Sequence, residues 1–269
     1  MILFNLLKDG KKNAVTLSYD DAPVHDRRLV DIFNKYGMKA TFHINSGVLG
    51  ENNGKIEPEE IKELYKNHEV ACHGVMHARL DLLSKGECVT ELYEDRKALE
   101  QLCGYIVRGL SYAYGRYTDD VLKAVENCDI EYSRTVKGTM NFEFPENWLE
   151  WNPTCHHNNC LEYGEKFLNS IEGFTSGPRL LYVWGHSYEF SRQDNWDVIE
   201  EFCKLVGGRD DIWYATNIEI YDYIKAQRSL IVSVDGKTVY NPSGQEVWFS
   251  CTDTKKAYSV KPGETKVVE

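Results

Sequence analysis

The stretch TLSYDDAP, residues 16–23, decides how the rest of the chain is interpreted. An apolar run ends there in two adjacent acids, Asp20 and Asp21, and Pro23 follows shortly after. Along a regular strand, neighbouring side chains point to opposite faces of the sheet. Two adjacent carboxylates can share one site only where the strand ends and the backbone turns, and a proline marks such an end. The alternative is a solvated loop that carries two exposed charges.

The composition restricts the class of protein. The chain has 269 residues, of which 42% are hydrophobic and 27% charged, so it can form one large domain or a large domain with a small one. The formal net charge of −11 argues against a nucleic-acid surface and against an anionic membrane as partner. It does not restrict the substrate further, because a local site can differ from the average.

The N-terminal residues and the cysteines favour a cytoplasmic protein. The apolar run 1–7 precedes its basic residues, whereas a secretory signal has the basic residues first and a longer apolar core. No apolar stretch is long enough to span a bilayer. The eight cysteines form no C-x-x-C pair, which is typical of reduced, buried thiols.

The run CHHNNC, residues 155–160, combines two cysteines with His156 and His157. A structural zinc site there would need ligands from elsewhere in the chain. Its spacing matches none of the usual zinc patterns, so the run is not assigned as a metal site.

Short apolar runs alternate with helical patterns over most of the chain, and this alternation predicts an α/β fold. Parallel strands joined by crossover helices imply a β/α barrel or a doubly wound sheet, with the chemistry at the carboxyl ends of the strands. The predicted strands are Ala14–Tyr19, Lys39–Ile44, Glu69–Cys72, Leu180–Trp184 and Ile212–Ala215. The predicted helices are Arg27–Tyr36, Pro58–Lys66, Glu87–Leu102, Trp196–Leu205 and the one that follows the capping box at Thr216. Weaker strand-and-helix pairs continue through Asp129–Thr135, the last of these strand predictions.

After Arg228 the pattern changes to short strand-like runs separated by turn residues. We expect a main domain over residues 1–228 and a small antiparallel β appendage over residues 229–269, too small to be stable alone. Trp248 and Tyr240 in the appendage either stack on a sugar or form its small core, and their spacing favours the core.

Candidate metal ligands follow three of the predicted strands. His73 and His77 stand at i and i+4, which on a helical turn places both imidazoles on one face. With an Asp from the first strand end they make the mixed N/O set of a catalytic zinc-type site. His186 follows Leu180–Trp184 and leaves a spare imidazole for proton transfer. Together these residues suit metal-assisted hydrolysis.

TLSYDDAP, HGVMH (73–77), RGLSYAYGRY (108–117) and LLYVWGH (180–186), in this order, resemble the signature blocks of the polysaccharide deacetylase family. This is the NodB-homology domain of carbohydrate esterase family 4 (CE4). The resemblance extends over residues 13–225 and implies an incomplete, distorted β/α barrel of mostly parallel strands.

The resemblance also implies roles for particular residues. Asp20 corresponds to the general base and His186 to the general acid. The backbone N–H of Tyr114 corresponds to the donor that stabilises the oxyanion. The implied metal ligands are Asp21, His73 and His77.

The chain departs from the family pattern in the third block, where Ser111 stands in place of an arginine and Ala113 in place of a proline. The family arginine orients the catalytic Asp. Arg134, at the end of a predicted strand, is our first candidate for a replacement guanidinium, and Arg108 is the second.

Two further departures concern the substrate pocket. Trp184 stands where the family has a smaller apolar residue that faces the acetyl group, so it narrows or reshapes the acyl pocket. The fourth block, an Asp-Trp pair in the family, is not evident. The segment 148–159, with Trp151, His156 and His157, occupies this interval either as a wall of the site or as an ordered loop.

The sequence therefore predicts a metal-dependent hydrolase that removes an acyl group, N-acetyl foremost, from an amino sugar or other carbohydrate. Zinc is the expected cofactor, with cobalt or nickel as alternatives, and the expected partner is an acetylated sugar or oligosaccharide. The same residues are compatible with an O-acetyl esterase or a non-sugar amide hydrolase. A non-catalytic carbohydrate-binding relative is the alternative from another class. The oligomeric state is left open.

Overall fold

The computed structural model describes residues 1–170 and 173–269. Its helices are α1 (Asp26–Lys35), α2 (Ile61–Leu64), α3 (Lys85–Cys103), α4 (Asp119–Asn127), α5 (Cys160–Asn169), α6 (Ser187–Gln193), α7 (Trp196–Val206) and α8 (Asn217–Arg228). The strands before residue 220 are β1 (Ile2–Leu3), β2 (Asn13–Asp20), β3 (Ala40–Ile44), β4 (Glu69–Cys72), β5 (Gly109–Ser111), β6 (Tyr132–Arg134), β7 (Cys155–His156), β8 (Arg179–Gly185) and β9 (Ile212–Tyr214).

The central sheet contains eight of the strands in the described part of the chain. Its order is β6-β5-β4-β3-β2-β8-β7, and β9 also pairs with β2. Every pairing in this sheet is parallel. This mostly parallel, curled sheet with its helices confirms the predicted distorted β/α barrel.

Strand β2 shows how the sequence positions the site. Val15, Leu17 and Tyr19 belong to the large apolar core that includes residues of α1 and α7. The alternate residues are polar and equally buried, and the last of them is Asp20. Because side chains alternate along a strand, the polar series lies on the opposite face of the sheet, inside the curl.

The segment between β6 and β8 closes the barrel rather than forming a free loop. Trp151 makes a parallel bridge with Arg134, its N–H donating to Ser133 while its carbonyl accepts from Thr135. A few residues later, β7 pairs with β8. Trp151 is fully buried, in edge contact with Tyr132. The segment is thus bridged to β6 at one edge of the sheet and, through β7, to β8 at the other.

The C-terminal strands are β10 (Ile231–Val232), β11 (Thr238–Tyr240), β12 (Val247–Cys251), β13 (Lys256–Val260) and β14 (Thr265–Val267). They form two antiparallel sheets, β10-β11-β14 and β1-β12-β13. The second includes β1, so the N-terminal residues of the chain complete the C-terminal unit, which the sequence did not indicate. Trp248 packs against the adjoining core, whereas Tyr240 is exposed. The division into 1–228 and 229–269 stays a prediction.

The predicted elements agree closely with these bounds, with two exceptions. Helices α5 and α6 were not predicted, and residues 73–77 do not form the expected helical turn. Within the described ranges, no helix is both long and apolar enough to cross a membrane.

Candidate active site

The backbone turns at the end of β2, which allows two adjacent carboxylates to face the same site. Asp20 is the last strand residue, and the next two, Asp21 and Ala22, have φ values of 78° and 45°. Left-handed backbone at non-glycine residues is uncommon and concentrates at functional sites. Asp20 and Asp21 consequently line the same pocket instead of opposite faces of the sheet.

Asp21, His73 and His77 form a compact group of metal-ligand atoms. Oδ1 of Asp21 lies 3.8 Å from Nε2 of His73 and 3.7 Å from Nε2 of His77. These separations are too long for hydrogen bonds. They are short enough for a single cation to contact all three atoms, since zinc binds nitrogen and carboxylate oxygen at about 2.0–2.2 Å. The donor set and its spacing therefore fit a divalent metal ion.

His73 is held in the tautomer that a metal ligand needs. Its Nδ1 lies 2.8 Å from the carbonyl oxygen of Ser111, which can only accept a hydrogen bond. Nδ1 therefore carries the proton, and the lone pair of Nε2 faces Asp21. Burial lowers the pKa of His73 despite the nearby carboxylates, which favours the neutral, ligating form.

His77 reaches the group through an irregular loop, so the expected helical turn is wrong. Gly74 and His77 have φ values of 83° and 55°, outside the helical region. Oδ2 of buried Asp95, on α3, accepts from the backbone N–H groups of His73 and Gly74 at 3.0 and 2.9 Å. The two histidine rings still meet, with centroids 4.7 Å apart. A side-chain carboxylate, rather than a helix, fixes this loop.

Arg134 pairs with Asp20 inside the protein. Its Nη2 donates to Oδ2 of Asp20, and the Arg134 side chain is fully buried. On the other carboxylate oxygen, Ser111 Oγ donates at 3.2 Å. Burial alone would raise the pKa of Asp20, but the charge of Arg134 holds that pKa well below its usual range. Asp20 is therefore ionised at any working pH.

His186 contacts a carboxylate on the helix that follows it. Its Nδ1 lies 2.9 Å from Oε1 of Glu189. Burial would lower the pKa of His186, but the Glu189 hydrogen bond and the charges of Asp20 and Asp21 raise it overall. A raised pKa favours the protonated imidazole, the form that a general acid needs.

These side chains surround one pocket of 460 Å³. Larger clefts of 700 and 510 Å³ lie elsewhere and contain none of the candidate residues, so chemistry rather than volume identifies the site. The pocket is lined by Asp20, Asp21, His73, His77, Tyr112, Tyr114, Val136, Trp184, His186 and Tyr188.

Comparison with known proteins finds similarity over about half of the chain. The model of the polysaccharide deacetylase family matches residues 7–133, which include the first three blocks and end one residue before Arg134. Chitooligosaccharide deacetylase from Sinorhizobium fredii is 26% identical over 121 residues, which are 44% of this chain and 54% of that protein. The chain spans about half the length of the curated relatives it matches. The chain is a divergent relative of the polysaccharide deacetylases.

Solved structures show the same fold. The crystal structure of a "putative polysaccharide deacetylase" from Mycobacterium smegmatis aligns with a TM-score of 0.62 at 18% identity, over 85% of this chain and 96% of that one. A CE4 family pseudoenzyme from Bacillus anthracis aligns with a TM-score of 0.51 at 16% identity, over 78% of this chain and 66% of that one. At these identities the likeness shows the fold alone.

The guanidinium that contacts Asp20 comes from the strand next to the one that carries Ser111. Ser111 and Arg134 are register partners in the pairing of β5 with β6, so the guanidinium comes from one strand further along the sheet. Arg108, our second candidate, does not reach the site, because both of its Nη atoms bind the Asp222 carboxylate at 2.9 and 2.6 Å.

The remaining predicted residues divide between the pocket and its surroundings. Trp184 lines the pocket, with the Arg134 guanidinium 4.4 Å from the centre of its ring. Tyr114 also lines it, with φ of 59° and its ring edge-on to that of His77. Trp151 does not line it, nor do His156 and His157. The latter two lie near the pocket instead, against Glu189.

Sequence reasoning missed three acids around the site, of which Asp95 and Asp26 are fully buried and Glu189 is partly exposed. Asp95 was detectable as a charge within the apolar stripe of α3, between Leu92 and Leu99. Glu189 stands three residues after His186, a helical spacing that suggests contact. Asp26 accepts hydrogen bonds from Ser187 and Tyr65, joining the start of α1 to the residue after His186. No sequence pattern indicated that last contact.

Proposed function

We propose that this chain is a metal-dependent hydrolase that removes an acyl group, N-acetyl foremost, from an amino sugar or other carbohydrate. The observation that carries the proposal is a single pocket that contains an ionised carboxylate, an imidazole whose pKa is raised and three side chains that can ligate a metal ion. Zinc suits two imidazoles and one carboxylate, and cobalt or nickel accepts the same donors.

Asp21, His73 and His77 would hold the cation. When bound there, the cation acts as a Lewis acid that lowers the pKa of water and polarises a carbonyl. Asp20, with its depressed pKa, is a weak base and needs such an acidified water as its proton donor. The Arg134 ion pair keeps Asp20 charged and in place for that transfer.

His186 supplies the proton for the leaving group. An amine is a poor leaving group unless it is protonated as the C–N bond breaks. The backbone N–H of Tyr114 is assigned to the oxyanion, where a preorganised donor stabilises developing charge. Trp184, Tyr112 and Tyr188 give the pocket aromatic walls on which a sugar ring can pack.

The test is acetate release from a panel of N-acetylated and O-acetylated sugars and non-sugar acetamides by the protein loaded with one zinc ion per chain. Asp20→Asn and His186→Gln should each lower turnover about 100-fold or more, the usual contribution of an acid or base. Glu94→Gln, which removes an exposed carboxylate on α3, is the matched control and should not change it. Release from O-acetyl substrates only would assign an esterase, and release only from acetamides without a sugar would assign the amide hydrolase.

A non-catalytic carbohydrate-binding relative is the second candidate, because Ser111 and Ala113 replace two residues of the third block. Retention of Asp20, His186 and all three ligands argues against it, since sugar binding does not need a proton-transfer pair. Sugar binding without acetate release from any member of the panel would favour this candidate.

A further inference from the structure

Two imidazoles that the reaction does not use lie against the carboxylate that contacts His186. Nε2 of His156 is 3.1 Å and Nε2 of His157 is 2.9 Å from Oε2 of Glu189, while Nδ1 of His186 is 2.9 Å from Oε1. One carboxylate is therefore surrounded by three histidine rings. The contact of His186 has hydrogen-bond geometry.

The contact between Nε2 of His157 and Oε2 of Glu189 does not have hydrogen-bond geometry. His157 is buried, with 1% of its surface exposed, and neither of its ring nitrogens has a hydrogen-bond partner. A buried polar atom without a partner is costly, so a carboxylate surrounded by three imidazole rings indicates a place for a positively charged species beside it.

The nearby donors match the preference of a divalent metal ion. One ligand atom each from His156, His186 and Glu189 lies within 4.8 Å of the other two. Two imidazoles and one glutamate are a known ligand set for zinc. The three side chains are 24%, 19% and 18% exposed, so a cation can reach them from solvent.

We propose that His156, His186 and Glu189 form a second divalent-cation site, distinct from the group of Asp21, His73 and His77, and that its occupation inhibits hydrolysis. The segment 155–160 thus finds its missing ligands on α6 and at the end of β8. The His157 ring lies against the same carboxylate and completes the surroundings of the site.

A cation at this site would inhibit hydrolysis because it would prevent protonation of His186. This part of the proposal rests on the proposed function, in which His186 is the general acid. With a cation on Nδ1, the ring cannot also hold a proton there, so it cannot become the imidazolium that donates a proton near neutral pH. Its remaining Nε2–H belongs to a neutral imidazole, which is a far weaker acid. The same metal ion would therefore support hydrolysis when bound by Asp21, His73 and His77, and prevent His186 from acting as an acid when bound at the second site.

The test measures zinc content and acetate release of the full chain over a range of buffered free zinc. The wild type should bind two zinc ions per chain, and His156→Ala should bind one. Acetate release by the wild type should fall about tenfold or more as the second ion binds. The ratio of activity at high zinc to activity at low zinc should stay near one in His156→Ala. His25→Ala, which removes a histidine outside the cluster, is the control and should still bind two.

The outcomes separate the two proposals. One zinc ion in the wild type, or two in His156→Ala with unchanged far-UV circular dichroism, would overturn the second site whether or not the protein is a hydrolase. Two ions in the wild type and one in the variant, with no acetate release from any substrate, would keep the site and reject the proposed function. His156→Gln provides a second variant if the alanine protein fails to fold.

Discussion

The guanidinium of Arg134 lies between Asp20, to which it donates a hydrogen bond, and the ring of Trp184, 4.4 Å from its centre. The side chains of Arg134 and Asp20 are 0% and 3% exposed, so this ion pair is not screened by solvent. Its Nη1 also donates to the carbonyl oxygen of Thr135 at 3.0 Å. A single arginine thus fixes the proposed base and one wall of the pocket.

Replacement of Arg134 by lysine should lower kcat about 10- to 100-fold, the usual effect of losing a residue that orients the reacting groups. Lysine keeps the positive charge but lacks the planar guanidinium group, whose several N–H donors have a fixed geometry and whose delocalised charge packs on an indole ring. The measurement is kcat on the best substrate of the panel. Unchanged turnover would remove Arg134 from the mechanism.

The register of β5 and β6 allows a sharper form of this test. Arg134→Ser leaves the buried Asp20 carboxylate unpaired, which costs about 3–5 kcal/mol of unfolding free energy. Adding Ser111→Arg returns a guanidinium to the neighbouring register position, the position at which the family carries it. The double variant should be more stable and more active than Arg134→Ser alone. Equal behaviour of the two would show that a guanidinium at position 111 cannot replace that of Arg134.

Trp184→Leu should shift acyl selectivity towards longer chains. A smaller side chain enlarges the pocket, and one methylene in an apolar pocket is worth about 10- to 200-fold in kcat/KM. The ratio of kcat/KM for propionyl and acetyl substrates should rise by at least tenfold. Trp148→Leu, a tryptophan outside the pocket, is the control, and a similar shift in that variant would argue against a role of Trp184 in acyl selection.

The free energy of unfolding should fall as the pH rises from about 4 to about 7, in part because of Asp26. Burial raises the pKa of this carboxyl to about 7 despite hydrogen bonds from Ser187 and Tyr65, whereas the unfolded chain releases the proton near pH 4. The folded protein therefore binds more protons between these values, and the free energy of unfolding decreases with pH across this range. The difference corresponds to about 4 kcal/mol.

Asp26→Asn should flatten that dependence, measured by urea unfolding between pH 5 and pH 8. The free energy of unfolding of the variant should still decrease somewhat with pH, because burial also raises the pKa of Glu69 to about 7. An identical slope in wild type and variant would show that Asp26 is ionised in the folded protein well below pH 7.

Truncation after Arg228 should destabilise the rest of the chain. Val247, Phe249 and Val260 belong to the same buried cluster as Trp213 and Tyr223. Their loss removes about 5 kcal/mol or more of apolar burial, a large part of the usual stability of a domain. The truncated protein should have a lower Tm and a smaller soluble fraction. An unchanged Tm and unchanged substrate affinity would mean that residues 229–269 are dispensable.

Much of the fold was predictable because its elements depend on local patterns. The apolar run of β2, the proline that opens the segment before α2 and the capping box of α8 all act within a few residues. The pairing of β1 with β12 joins residues some 250 positions apart, and no local pattern encodes it. Helix α6 is seven residues long, too short for a clear apolar period.

The candidate site was predictable as a set of residues but not as a set of contacts. Strand ends identify Asp20, Asp21 and His186, because parallel strands gather their carboxyl ends at one edge. The choice of Arg134 over Arg108 depends on which end of a strand each occupies, and Arg108 precedes β5. Glu189 was missed because α6 was missed.

The most direct test of the metal centre is zinc titration into metal-stripped protein by calorimetry, comparing the wild type with His77→Ala. We expect the wild type to show a tight site, and the variant to bind zinc at that site about 100-fold more weakly or not at all, because one of three ligands is gone. Zinc binding at the second site, near Glu189, should be the same in both proteins. Equal tight binding in the two proteins, or no tight binding in the wild type, would contradict the assignment of Asp21, His73 and His77 as the metal ligands.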